Sequence, residues 1–215
     1  MKLRLTAFLA AVLLSATAAA QTSFGVRLGY NSTNIRYEIA NQEVDTDGQG
    51  NLMLGAFVNL PVGTNLISIQ PEINYMNRGF EIGGRTITVG GQSLTLDGGK
   101  QTISFLDLGA LLRLNFNMDG PVGIYVGAGP YLTYAVSGSI EDGNGDRDID
   151  FDADRVKRGG TQVAGIGGVT FGAGGLNFFA EGRYQTALSN LSDDDNFDIR
   201  QRLVGVAVGL MVPLN

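Results

Sequence analysis

Oxygen-bearing side chains recur at every second position in one stretch, Asp142-Gly143-Asn144-Gly145-Asp146-Arg147-Asp148-Ile149-Asp150. Asp142, Asn144, Asp146, Asp148 and Asp150 are the kind of hard oxygen ligands that Ca2+ takes. The match to a calcium loop is partial. Arg147 stands where such a loop has its turn glycine, and no glutamate closes the site at the twelfth position. Arg155, Lys157 and Arg158 follow closely, so the competing reading is a solvated acidic loop. Calcium is the one cofactor the sequence brings forward. Unchanged loop mobility on adding millimolar calcium would dispose of it.

A second group of charges sits inside otherwise apolar stretches: Arg27, Glu72, Asp107, Arg113, Glu181 and Arg183. Three of each sign balance, and the expectation is that they pair across a closed interior. The alternative is a selectivity ring in a water-filled pore. The chain has no histidine and no cysteine. A Ser-His nucleophile, an Asp-His protease pair and a His or Cys metal site are therefore excluded in their usual forms. Carboxylate-only chemistry remains, but these carboxylates have arginines to pair with, so the reading is not an enzyme.

The charges are positioned by strands. In Phe105 to Phe116, FLDLGALLRLNF, the residues Leu106, Leu108, Ala110, Leu112, Leu114 and Phe116 are all apolar, while Asp107, Gly109, Arg113 and Asn115 fall between them. Strict period two marks a strand with two different faces. On a helix Asp107, Arg113 and Asn115 would scatter around the cylinder. The same alternation runs through Phe24 to Tyr30, Leu52 to Leu60, Leu66 to Arg78, Val122 to Val136, Gln162 to Phe171, Leu176 to Tyr184 and Ile199 to Leu214. Pro71 interrupts one of these and predicts a bulge or a locally weak pairing. Short turns at Pro61–Asn65, Asn117–Pro121 and Gly172–Gly175 alternate with long segments. Within one of those, Thr86-Ile87-Thr88-Val89 and Ser93-Leu94-Thr95-Leu96 flank Gly90-Gly91 and predict a hairpin beyond the main sheet.

About eight strands joined alternately by long segments and short turns predict an all-β fold: an eight-stranded antiparallel up-and-down transmembrane β-barrel. Lys2 and Arg4, the apolar run Leu5 to Leu14 and Ala18-Ala19-Ala20 predict a signal peptide over 1–20, cut before Gln21. The barrel domain is then 21–215. Removing Lys2 and Arg4 from 15 basic residues leaves 13 against 21 acidic ones, so the mature charge is about −8. Such a chain has no footprint for nucleic acid. Without cysteine it has no disulfide support either.

A soluble barrel would alternate too, with its apolar face inward. A narrow eight-stranded lumen cannot hold roughly forty bulky apolar side chains, whereas the glycine-rich opposite face fits inside. That opposite face lacks lysine, which is odd for a surface in water; only Lys100 and Lys157 follow the leader. The apolar-face aromatics also fall at strand ends. Phe24, Phe116, Phe171 and Phe178 lie by the N-terminus or the short turns, and Tyr30, Tyr75, Tyr134 and Tyr184 by the long segments. Two aromatic bands around an apolar belt are what membrane interfaces select. The expectation is a bacterial outer membrane, with short turns and both termini in the periplasm.

Gln70-Pro71-Glu72-Ile73-Asn74-Tyr75, FLDLGALLRLNF and Gly127-Ala128-Gly129-Pro130-Tyr131-Leu132 together resemble the PorT-like outer-membrane β-barrel family of Bacteroidetes-type bacteria. Phe24-Gly25-Val26-Arg27-Leu28-Gly29 and Glu181-Gly182-Arg183-Tyr184 are similar to it as well. The resemblance implies an eight-stranded barrel, with a founding member linked to a secretion and gliding apparatus. It also implies the barrel assembly machinery as a partner. Such barrels commonly end in an aromatic that the machinery reads, and this chain ends Val212-Pro213-Leu214-Asn215. Other expected partners are outer-membrane lipid and lipopolysaccharide, and an envelope protein. The functional expectation is a non-enzymatic barrel that presents loops or docks partners. The alternative is a small passive channel or a lateral route for apolar solutes. Packed Phe57, Phe105, Tyr125 and Phe179 on the inward face argue for a plug.

Overall fold

A strand that is apolar on one face and charged on the other needs two different environments. A closed barrel in a membrane supplies them, with lipid outside and a small polar interior. The computed structural model describes residues 22–39, 42–45, 47–82, 85–89, 92–96, 99–117, 120–142, 145–151, 157–173, 175–189 and 198–214. The expected leader and its cleavage site lie outside them. The strands are β1 (Ser23–Ile39), β2 (Gln42–Asp45), β3 (Asp47–Val62), β4 (Thr64–Ile82), β5 (Arg85–Val89), β6 (Gln92–Leu96), β7 (Gly99–Phe116), β8 (Val122–Asp142), β9 (Gly145–Asp148), β10 (Gly159–Ala173), β11 (Leu176–Ala187) and β12 (Asp198–Pro213). Eight of them, β1, β3, β4, β7, β8, β10, β11 and β12, form a closed antiparallel barrel in which β12 returns to β1. No helix occurs among the described residues.

The short turns lie where the sequence places them. Gly63 (φ 72°) and Gly175 (φ 85°) take left-handed conformations that glycine adopts without strain. Asn117 (φ 55°) does so too, with its side-chain amide donating to the Val122 carbonyl at 2.8 Å. Pro71 pairs with Ala110 on β7, but on the β3 side the ladder passes from Phe57–Glu72 to Leu60–Ile69 without a pair at Pro71. The outcome is therefore weak pairing and not a bulge.

The strands run longer than the apolar alternation suggests. β1 continues to Ile39, β4 to Ile82 and β8 to Asp142, and β2 and β9 add short hairpin arms to β1 and β8. The predicted hairpin is present as β5 paired with β6. Most of the first two long segments is thus ladder, extending past the apolar belt. Alternation there is polar against polar, so the hydrophobic period does not mark it.

Outside, Leu28, Leu54, Leu112, Leu132, Val206 and Val208 are exposed, as are all eight predicted interface aromatics: Phe24, Tyr30, Tyr75, Phe116, Tyr134, Phe171, Phe178 and Tyr184. An apolar surface this continuous is not one that a monomer presents to water. Inside, four large rings fit because each faces glycine across the ladder: Phe57 opposite Gly25, Tyr131 opposite Gly109, Tyr125 opposite Gly168 and Phe179 opposite Gly209. A Cβ at Gly25 would lie 2.2 Å from the Phe57 ring. Gly25→Val should therefore lower stability by about 1–3 kcal/mol through overpacking, read as a lower urea midpoint in detergent. An unchanged midpoint would mean the ring is free to move aside.

Candidate functional site

The lumen is held by three polar clusters stacked along the barrel axis. The central one is a closed ring of two guanidiniums and two carboxylates. Arg27 of β1 reaches Glu72 of β4 at 2.8 Å and Glu181 of β11 at 3.0 Å; Arg183 of β11 reaches Glu72 at 2.7 Å and Glu181 at 3.0 Å. All four side chains are at most 1% exposed. Each arginine lies in the ladder opposite glycine, Arg27 beside Gly55 and Gly209 and Arg183 beside Gly205, which leaves room for the side chain to cross the interior.

Glu72 is the hub of the ring. Its same-face neighbours two residues away, Gln70 and Asn74, each donate an amide hydrogen to it at 2.8 Å. The Tyr131 hydroxyl donates to it too and accepts from Arg183 at 2.8 Å. The Tyr125 hydroxyl donates to Glu181 at 3.0 Å. Every oxygen of these carboxylates thus meets at least one donor, the condition under which buried ion pairs are tolerated.

Towards the long segments, Arg78 pairs with Asp107 and donates to Thr133 and Gln201, both at 3.2 Å. Thr133 donates to Asp107 at 2.6 Å, and Arg78 stacks over Phe105 at 4.6 Å. Towards the short turns, Arg113 donates to Gln70 at 3.0 Å and stacks 3.5 Å over Tyr125. Asn115 donates there to Ser68 at 3.0 Å.

The expected three-against-three balance needs a correction. Five of the six residues form ion pairs, but Arg78 is a fourth lumen arginine and takes Asp107. Arg113 forms no ion pair among the described residues and is held by a π face instead. By parity Arg78 shares the inward face, but it stands at the apparent end of its strand. Only the ladder continuing to Ile82 shows that it belongs to the interior. Because Arg113 lacks a carboxylate, Arg113→Met should be neutral, or stabilising by about 1 kcal/mol, whereas Arg27→Met strands carboxylates and should destabilise. Urea unfolding in detergent distinguishes the two.

The long-segment end of the lumen is closed by a cluster that sequence reasoning missed. Ile149 and Phe151, inside the acidic stretch, are 7% and 4% exposed and pack on Phe105 and Ala135. The Ile149 amide donates to the Gly138 carbonyl at 2.9 Å, and Arg158 lies 4.2 Å over the Phe151 ring. This stretch is therefore not simply a solvated loop. Two apolar residues among many aspartates were the available signal.

The proposed calcium ligands fall on the same stretch. Asn144 and the side chain of Asp142 lie outside the described residues. Asp146 and Asp148 are exposed on β9, paired in register with Glu141 and Ser139 of β8, and Asp150 is exposed just beyond. An extended strand separates same-face side chains by roughly 7 Å and does not wrap around an ion as a loop does. Among the described residues no three acidic side chains gather closely enough to hold a metal. Nor does the lumen offer an uncommitted carboxylate beside a nucleophile: Glu72, Asp107 and Glu181 are all engaged with arginine.

Solved outer-membrane proteins align with this chain at low identity. The outer membrane protease OmpT of Escherichia coli aligns over 93% of this chain and 100% of its own, at 7% identity and a TM-score of 0.54. Neisserial surface protein A aligns over 89% of this chain and 97% of its own, at 12% identity and a TM-score of 0.49. OprG of Pseudomonas aeruginosa aligns over 90% and 96%, at 12% identity and a TM-score of 0.43. Among curated proteins none matches the sequence. Residues 19–193 match the model of the outer membrane protein beta-barrel domain, and the chain, with its lipid-facing belt and closed eight-stranded ladder, belongs to that family.

Proposed function

We propose that this outer-membrane barrel is a non-enzymatic, non-conducting member of the PorT-like kind, whose working surfaces are the strand extensions beyond the belt. The carrying observation is the filled lumen: a closed four-membered ion ring at its centre and an apolar cap of Ile149 and Phe151 at one end. With no route through the wall, what the molecule can offer is what stands outside it: β5–β6, the β8–β9 arm and the ends of β1 and β12. The partner would be a protein of the cell envelope. Short turns on the periplasmic side would place both chain ends there, as the pairing of Ser23 with Pro213 allows. Any calcium role of Asp142, Asn144, Asp146, Asp148 and Asp150 belongs to these same surfaces.

Reconstitution in liposomes tests the closed lumen. The barrel should release no small dye and give no stable conductance step. A steady open pore would overturn this reading and leave the passive channel in its place. Pull-down from intact envelopes then tests docking: a partner recovered with the full chain should be lost when 85–96 is deleted.

A further inference from the structure

The lipid-facing wall carries a groove. Leu28 and Tyr30 of β1, Val206 and Val208 of β12, and Ala180 and Gly182 of β11 line an open, almost wholly apolar depression of about 530 Å³. Its floor is low because of Gly182, whose cross-strand partner is Gly167. Gly25, Gly109, Gly168 and Gly209 are required by the rings they face, but this one is not. A Cβ at Gly182 would meet only the Gly167 carbonyl oxygen, at 3.8 Å. Glycine weakens a strand, and no contact inside the barrel demands it here.

Arg202 stands above the groove on β12, in the same outward column as Val204, Val206 and Val208. The register pairs Val204 with Tyr184 and Arg202 with Thr186. Arg202 is thus one pleat beyond the tyrosine band, roughly 7 Å further along the strand and level with lipid headgroups. It is exposed and makes no ion pair among the described residues. An exposed guanidinium at headgroup height over an apolar trough matches an anionic head joined to acyl chains.

We propose that this groove binds one phosphate-bearing acyl lipid of the outer leaflet, lipid A in chemistry. The phosphate sits on Arg202, and an acyl chain runs past Val204 and Val206 into the recess at Gly182. The choice of leaflet rests on the orientation proposed above.

The test uses the purified barrel in phosphatidylcholine nanodiscs doped with lipid A, with retained lipid counted by native mass spectrometry. Lipid A should be retained about fivefold over its dephosphorylated form, the preference that one basic residue near a headgroup supplies. Arg202→Gln should remove that preference. Gly182→Leu should lower retention of both forms while the barrel stays folded by its heat-dependent mobility in gels. Equal retention of the two forms, or retention that survives either substitution, would overturn the proposal. So would displacement of lipid by a second copy of the chain. A nanodisc offers both leaflets alike, so failure here leaves the closed-lumen reading and its orientation standing.

Discussion

Glu72→Leu lowers the stability of the barrel by about 3–5 kcal/mol, the cost of removing one partner from a buried ion pair. The expected loss is large because Glu72 serves two cations. Without it Arg27 and Arg183 share only Glu181, and the donors of Gln70, Asn74 and Tyr131 lose their common acceptor. The ring is buried at the centre of the lumen, so the stranded charge has no path to water short of opening the wall. Urea unfolding in detergent, followed by loss of the compact gel form, measures the effect. The double variant Glu72→Leu/Arg183→Met should recover most of the loss. It leaves one intact pair, Arg27 with Glu181 at 3.0 Å, and removes the surplus cation. If Glu72→Leu unfolds at the wild-type midpoint, water reaches the ring and the lumen is not a dry plug. The conductance expectation would then fail with it.

That ring shows how far the sequence could be read. Period-two alternation placed Arg27, Glu72, Glu181 and Arg183 on one face, and the narrow eight-stranded lumen made their pairing necessary. The partners themselves were not legible. Which cation meets which carboxylate depends on stagger between strands distant in sequence, as for Arg27 and Glu181, and no local pattern encodes it. The strand ends were hidden for a related reason. Where the wall leaves the membrane, both faces turn polar, the contrast that reveals a strand vanishes, and Arg78 stood at the apparent end of a strand whose ladder continues to Ile82. The cap was hidden because Ile149 and Phe151 are two residues in an aspartate-rich run and carry no periodicity. The belt was plain because membranes impose one strong rule on every spanning strand, and each interface aromatic named from sequence faces outward.

That rule yields the second large effect: Leu112→Arg should cost about 2–4 kcal/mol in a lipid bilayer. Leu112 is 58% exposed on β7, between Phe116 in one aromatic band and Leu106, which pairs with Tyr75 in the other. It therefore lies near the midplane, where an arginine cannot reach either interface without deforming the bilayer. Val62→Arg is the control. Val62 is 46% exposed but adjoins the turn at Gly63, so its cost should fall to about 0–1 kcal/mol. The next residue on β7 makes the contrast sharper. Arg113 is a native arginine and 1% exposed, tolerated because it points inward onto Tyr125 and Gln70. Two adjacent positions on one strand should thus respond differently to the same side chain: arginine is tolerated at 113 and excluded at 112. A wall with lipid on one side and a packed polar lumen on the other produces that difference while keeping Arg113 buried and Leu112 exposed. In an inverted, water-soluble barrel Leu112 would face the interior and position 113 would face water, so Arg113 would be exposed and not buried at 1%. Equal unfolding midpoints in vesicles for Leu112→Arg and Val62→Arg would overturn the assignment of the two faces.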